Sequence, residues 1–275
     1  MKNLKLLSIL FLGMILLFAA CKKDEEEDDD NTNPPVVVDK KMLKSYTFDN
    51  QKYEFQYNEY KQLIKLIVGD VGSTEKTTVD FEYSGNKLLR WVAYDDGAVV
   101  AKLNLLNHNA YDYPTKGEVY IADGGPLELI ETYTYIYSEN KLTELIANEV
   151  DAGQETPMYK NEYIYSANNV ITQNIYDNYG GTFILYNSVS FTFDDKNNPG
   201  FNFGLINFAE DEVFQGMSVL DRNNYTVMEV KDSNGILKEG DSYNRDFEYN
   251  ADDYPTKCTM TSFDGSDVVN IDYEY

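Results

Sequence analysis

The chain has 275 residues, with 47 acidic side chains against 23 basic ones and a formal net charge of −24. That balance disfavours nucleic-acid binding, which needs cationic surface to displace counterions, and adhesion to anionic lipid for the same reason; it suits cationic partners or ions. A single histidine excludes a metal site built on two histidines of one chain and leaves little from which to assemble a Ser-His-Asp or Cys-His set.

The N-terminus carries an address. Lys2 and Lys5 precede an apolar run from Leu6 to Ala20, broken only by Ser8 and Gly13. A spanning helix needs ~20 apolar residues, so the run fits the h-region of a secretory signal peptide over residues 1–20. Phe18-Ala-Ala-Cys21 resembles the lipobox of bacterial lipoproteins, with Phe18 where a small aliphatic residue or Leu is usual. The resemblance implies cleavage after Ala20, a diacylglyceryl group on the sulfur of Cys21 and an acylated new amino terminus, hence a membrane partner held through lipid. Lys23-Asp24-Glu25-Glu26 resembles the Lys-plus-acids export tag of Bacteroidota lipoproteins, which implies display on the outer face of the outer membrane. Read by itself, the same run is a solvated spacer. Either way residues 21–40 form an extended acidic tether, since like charges repel and Asn31-Thr-Asn-Pro-Pro35 blocks helix. With Cys21 lipidated, Cys258 has no partner for a disulfide within the chain.

Residues 41–275 are repetitive. Tyr53-Glu-Phe-Gln-Tyr57, Val79-Asp-Phe-Glu-Tyr83, Tyr133-Thr-Tyr-Ile-Tyr137, Val189-Ser-Phe-Thr-Phe193 and Ile271-Asp-Tyr-Glu-Tyr275 alternate apolar and mostly polar residues, the period of a half-buried strand. Asp246-Phe-Glu-Tyr249 and Tyr163-Ile-Tyr165 are shorter copies. Polar turns follow at Ser84-Gly-Asn-Lys87, Ser138-Glu-Asn-Lys141, Ser166-Ala-Asn-Asn169 and Asp194-Asp-Lys-Asn197, and second strands begin near Leu63, Leu88, Leu142 and Val170. Gly72, Gly97, Gly124, Gly153, Gly181, Gly235 and Gly265 mark the opposite turns, at steps of 25, 27, 29, 28, 54 and 30 residues. The 54-residue step reads as two periods with one turn missing. Asp112-Tyr-Pro-Thr-Lys116 recurs as Asp253-Tyr-Pro-Thr-Lys257. Such regularity is the mark of an internal repeat, here of about 27 residues.

Each period holds two strands with short connections, so neighbours are antiparallel, and about eight periods give roughly 16 strands. The expected fold is all-β, an antiparallel meander of repeated hairpins. One sheet face is aromatic, so the sheet must curl on itself or close. A circular barrel of this size is too wide for side chains to fill, which favours a flattened barrel or a coiled, sandwich-like sheet. The last strand, from Val268, is expected to pair inside the sheet and bury Ile271 with Tyr273 or Tyr275. Between Pro199 and Arg222 the pattern fails, and Phe201, Phe203, Leu205, Ile206, Phe208 and Phe214 crowd together. This segment reads as a hydrophobic plug or as a partner-contacting loop rimmed by Glu210, Asp211 and Glu212. The spacing of Tyr57-Asn-Glu-Tyr-Lys-Gln-Leu63 and Tyr83-Ser-Gly-Asn-Lys-Leu88 resembles the YD (tyrosine-aspartate) repeat class and the YD-like hairpins of uncharacterised Bacteroidota lipoproteins. The resemblance implies hairpin wrapping and extracellular life, and no activity.

Chemistry is sparse. No catalytic residue, cofactor or metal ligand is assigned. His108, in Asn107-His-Asn-Ala110, reads as a surface turn residue, and Cys258 aligns with Leu66, Trp91 and Leu145 as a buried structural thiol. The Asp-Gly turns match no EF-hand loop and are ordinary hairpin chemistry. No carboxylate pair for glycoside hydrolysis can be singled out among 47 acids. The expected function is a non-catalytic binding or structural module on the cell surface. The alternatives are a glycan-binding lipoprotein of an outer-membrane uptake system, supported by the tyrosines and Trp91, and a hydrolase. The partner is then a glycan or another surface protein.

Overall fold

The structure is a computed structural model that describes residues 41–122, 124–138, 141–201 and 221–275. Among the described residues sixteen strands follow one another in chain order. The first eight are β1 (Ser45–Phe48), β2 (Gln51–Tyr57), β3 (Leu63–Asp70), β4 (Thr77–Ser84), β5 (Lys87–Asp95), β6 (Ala98–Leu106), β7 (Lys116–Ile121) and β8 (Glu128–Ser138). The rest are β9 (Lys141–Asp151), β10 (Gln154–Ser166), β11 (Asn169–Tyr179), β12 (Thr182–Asn197), β13 (Asn223–Asp232), β14 (Tyr243–Tyr249), β15 (Pro255–Ser262) and β16 (Val268–Glu274). Each pairs antiparallel with its neighbours in sequence, and β1 pairs with β16, so the meander closes into a barrel. Closure is one of the two outcomes the repeats allow, and it leaves no sheet edge exposed. As expected, the last strand lies inside the sheet, between β1 and β15, with Ile271 and Tyr273 buried.

The two ends of the barrel differ in turn chemistry. At one end, Asp49-Asn50, Asp96-Gly97, Ala152-Gly153 and Gly180-Gly181 take positive φ at both central residues, the hand of tight turn that matches strand twist. At the other end the hairpins carry a bulge just inside the turn. Tyr57 pairs with Leu63, Tyr83 with Leu88, Tyr137 with Leu142 and Tyr165 with Val170, each across a register shift. Three loops there share one design. The side-chain oxygens of Asn58, Asn109 and Asn250 each accept backbone N–H bonds two and four residues on. Asp112 and Asp253 hold the same left-handed position in the two identical pentapeptides.

Two sequence expectations are corrected. Asp194 to Asn197 is not a turn but the end of the 16-residue β12. Asp194 stays in line because its carboxylate accepts the backbone N–H of Lys196 and, from β13, that of Asn224. The 54-residue glycine step is one period of the barrel and not two, because β12 and β13 pair directly and are the only strands among the described residues between Gly181 and Gly235. The extra length is an insertion at the bulged end, residues 198–222, of which 202–220 lie outside the described residues, as does the expected plug or loop. Its roots are anchored: buried Asp221 accepts the backbone N–H of Val170 at 2.8 Å, and its carbonyl accepts the side chain of buried Asn198 at 2.7 Å.

Alternation sorts the strands into an apolar inner face and a polar outer face. Tyr46, Tyr53, Phe55, Leu66, Phe81, Trp91, Leu103, Tyr133, Tyr135 and Val189 are buried in one core. Tyr46 stacks on Tyr53 with ring centroids 4.4 Å apart. Gly117 on β7 faces inward where an added Cβ would stand 2.9 Å from the Tyr135 hydroxyl, so glycine there makes room for the rings of β8. The outer face carries cross-strand and same-strand ion pairs such as Lys65 with Asp80, Arg90 with Glu82 at 2.7 Å and Lys160 with Glu162 at 2.5 Å.

Candidate functional site

The repeat supplies its own template for the inner face. Two inward positions recur in each hairpin. The first is Tyr53, Val79 and Tyr133 in β2, β4 and β8; the second is Leu66, Trp91 and Leu145 in β3, β5 and β9. Both are apolar in those three hairpins and line the core. The hairpin β10–β11 breaks the template twice, placing Asn161 at the first position and Gln173 at the second. The hairpin β14–β15 breaks it at the first position, with Arg245.

The β10–β11 departures converge with a third polar residue. Across β10, β11 and β12 the pairing is Tyr163–Gln173–Val189 in one row and Asn161–Ile175–Asn187 in the next. Gln173 is thus diagonal to both asparagines. Strands lie ~4.8 Å apart, so Asn161 and Asn187 stand roughly 10 Å from each other. Gln173 lies at ~7–8 Å diagonals from each of them. Gln173 and Asn187 are each 1% exposed. Oε1 of Gln173, Oδ1 of Asn161 and both Oδ1 and Nδ2 of Asn187 have no hydrogen-bond partner among the described residues. Buried amides are nearly always bonded, and leaving one unbonded costs about 1–3 kcal/mol.

The same wall projects furthest toward the glycine-turn end, where β8 to β12 run for 11 to 16 residues against 4 to 10 elsewhere. One row outward from Asn161 and Asn187 are Tyr159, Asp177 and Ile184 on the inner face. Beside them Glu131 pairs directly opposite Glu149. The Tyr133 hydroxyl donates to the Glu131 carboxylate. Burial holds that carboxyl above the usual range, and the Glu149 charge adds to the effect. Glu149 and Ile184 are exposed although they face inward, so the inner wall meets solvent at this lip. Arg245, 5% exposed, lies with its guanidinium carbon 3.9 Å from the Tyr225 ring centroid and Nη2 3.6 Å from the sulfur of Met260.

Of the residues singled out from sequence, Cys21, Lys23, Asp24, Glu25 and Glu26 lie outside the described residues. His108 lies in the β6–β7 loop as expected but is half-buried, with Nε2 3.0 Å from the Leu88 carbonyl oxygen. Cys258 pairs with Phe247 as Leu66 does with Phe55, and burial pushes its thiol up to about 11. The turn aspartates serve their own turns: Asp232 accepts the backbone N–H of Asn234 and of Ile236, and Asp264 that of Ser266. Among the described residues no three His, Cys, Asp or Glu side chains gather as a metal site.

Sequence reasoning missed the three amides and Arg245. The signal was present, because the copies ending in Tyr165 and Tyr249 look short for the reason that Asn161 and Arg245 replace their first apolar residue.

No protein-family model and no curated protein matches this sequence. Among solved structures it is similar to a porin-like protein from Bacteroides uniformis, at 14% identity and a TM-score of 0.51 over 84% of this chain and 96% of that one. A porin-like protein from Bacteroides vulgatus aligns at 11% identity and a TM-score of 0.48 over 86% of this chain and 99% of that one. The likeness is one of fold.

Proposed function

We propose that this chain is a lipid-anchored surface lipoprotein whose barrel works in water as a non-catalytic binding module, and not as a pore. The sidedness of the wall supports this reading. A barrel that spans a membrane turns an apolar band outward and a polar lining inward. Here the outward positions of β2 and β4 are Lys52, Glu54, Gln56, Thr78, Asp80 and Glu82, while the inward ones are Tyr53, Phe55, Val79 and Phe81. Charges such as these cost ~2–4 kcal/mol each for a cation at a bilayer midplane.

The tether fits the same picture. The chain enters at the bulged end, where the Lys44 N–H donates to the Glu274 carbonyl at 2.8 Å and the Tyr57 hydroxyl to the Leu43 carbonyl at 2.7 Å. A lipid on Cys21 is therefore joined to the barrel at that end, through the 21–40 tether. Cys21→Ala is expected to abolish lipid attachment. Neutralising Lys23 to Asp30 is expected to keep lipidation and lose surface display, read by protease shaving of intact cells. In planar bilayers the purified chain should give no conductance steps; stable channels would sink the reading.

A hydrolase reading has one observation in its favour, the opposed Glu131 and Glu149 at the mouth of the polar wall. Turnover of chromogenic glycosides that disappears in Glu131→Gln would replace the binding module with an enzyme. The binding reading expects none.

A further inference from the structure

We infer that the open edge of β12, from Thr182 to Tyr186, is a docking site for an extended segment of another protein, which adds to the wall as a further strand. The inference rests on the barrel being a binding module and names the surface and the kind of partner that this reading lacks.

The edge exists because β12 outruns β13. β12 pairs with β11 from Thr182 onward, whereas its pairing with β13 begins only at Asn187, opposite Asp232. Over Thr182–Tyr186 it therefore has a strand on one side and none on the other among the described residues. Successive residues of an antiparallel strand bond alternately to its two sides, so every second N–H and C=O here points away from β11. No other backbone group among the described residues bonds to them.

Composition sets this edge apart. Phe183-Ile-Leu-Tyr186 is four apolar residues in a row, which the alternation of a half-buried strand does not allow. Ile184 is 50% exposed and Tyr186 49%. No charged residue lies between Asp177 and Asp194, in a chain of net charge −24. Edge strands are usually kept from pairing by charge or by proline. The projecting end of β10 is kept so: Gln154 to Pro157 pair with β9 alone and include Glu155 and Pro157. The projecting end of β12 has neither device. An apolar edge left in that state is a template for another strand.

The chemistry selects the occupant. A row of backbone donors and acceptors is matched by another backbone, with alternate side chains of the incoming strand laid against Ile184 and Tyr186. The surroundings are acidic. Asp177 pairs with Ile184 across the hairpin, and Asp232 stands where β13 stops. Lys160 and Lys238, the cations over the rings of Phe183 and Tyr186, are already paired with Glu162 and Asp241. A second copy of this chain brings the same acids and the same net charge, which oppose self-pairing. An apolar strand with basic flanks meets no such opposition.

The test uses the purified full chain and the synthetic peptide acetyl-Lys-Thr-Val-Thr-Val-Thr-Val-Lys-amide as the probe. Calorimetry measures its affinity, and amide hydrogen exchange locates it. The peptide is expected to bind and to slow exchange at Thr182–Tyr186. The same peptide with its internal backbone nitrogens methylated keeps charge and side chains but lacks donors, and is expected not to bind. Ile184→Lys gives the edge the charge that other edges carry. At a half-exposed position it should leave the melting temperature unchanged and weaken binding at least ten-fold. Thr156→Lys, on the end of β10, adds the same charge and is expected to leave the affinity as it is. Should Ile184→Lys melt early, the exchange map of the wild-type chain decides. Failure of the peptide to bind, equal binding of the methylated peptide, protection outside Thr182–Tyr186, or an equal loss in Thr156→Lys overturns the inference. So does dimerisation of the chain alone that Ile184→Lys abolishes, which assigns the edge to a second copy. Those results leave the module reading standing, whereas conductance in bilayers would remove it.

Discussion

The Tyr165 hydroxyl donates to the carbonyl oxygen of Leu142, 2.7 Å away and 23 residues back along the chain. Tyr137 does the same to Pro114 at 2.8 Å, also 23 residues back, and Tyr57 to Leu43. The last tyrosine of a repeat thus ties its hairpin to the one before, with its ring in the core and its hydroxyl at the bulged rim. At these three positions tyrosine therefore does what phenylalanine could not. Tyr83 has the same place in its repeat, yet its buried hydroxyl has no hydrogen-bond partner among the described residues.

Tyr165→Phe and Tyr137→Phe should each cost about 1 kcal/mol, the net worth of one hydrogen bond. Tyr83→Phe should cost nothing or stabilise slightly. Urea melts of the three variants check this, and an equal loss at Tyr83 would contradict the assignment.

Closure of the barrel should depend on β16. Ile271→Ala removes a side chain 1% exposed and should cost ~2–5 kcal/mol. Ending the chain after Gly265 strips β1 and β15 of their shared neighbour and should abolish the cooperative thermal transition. A truncated chain with an unchanged melting temperature would show that β16 is dispensable.

Glu131 sets a pH dependence with a definite sign. Its folded pKa is raised by burial and by Glu149, against the opposing bond from Tyr133. The folded state therefore holds this proton more tightly than the unfolded chain, and stability falls as pH rises from the unfolded value of ~4.3 through the folded one. Glu131→Gln should raise the melting temperature at pH 7 by a margin that shrinks as the pH is lowered to ~4. Paired melts at the two pH values measure it, and a margin independent of pH would remove the titration from the account.

Cys258 is 1% exposed, and its thiol is pushed up to about 11 by burial, with Arg245 pulling the other way. The thiolate is the reactive form, so a disulfide reagent at pH 8 should label Cys258 only as fast as the barrel opens, and at once in denaturant. Labelling within seconds under native conditions would place the thiol at an accessible surface.

Much of this fold is written locally. Alternation in stretches such as Val79 to Tyr83 specifies strand and inner face together, because the side-chain period of two leaves one choice of register. Paired residues such as Asp96-Gly97 specify tight turns, because φ is positive at both. From such signals the roughly 16 strands, their antiparallel order and the structural burial of Cys258 could be read from the chain. The address expected at Cys21 likewise rests on a short stretch of sequence. Tertiary structure decided what depends on residues far apart. Ser45 pairs with Glu274 across 229 positions, and no local pattern states that the first and last strands of a meander meet. Asp194 to Asn197 has turn composition, yet it remains strand because Asn224 and Tyr249 bond to Asp194 from β13 and β14. Asn161, Gln173 and Asn187 are each unremarkable where they stand in sequence. They become a cluster because strand register brings one from each of three adjacent strands onto the inner wall, where an amide unbonded among the described residues is costly.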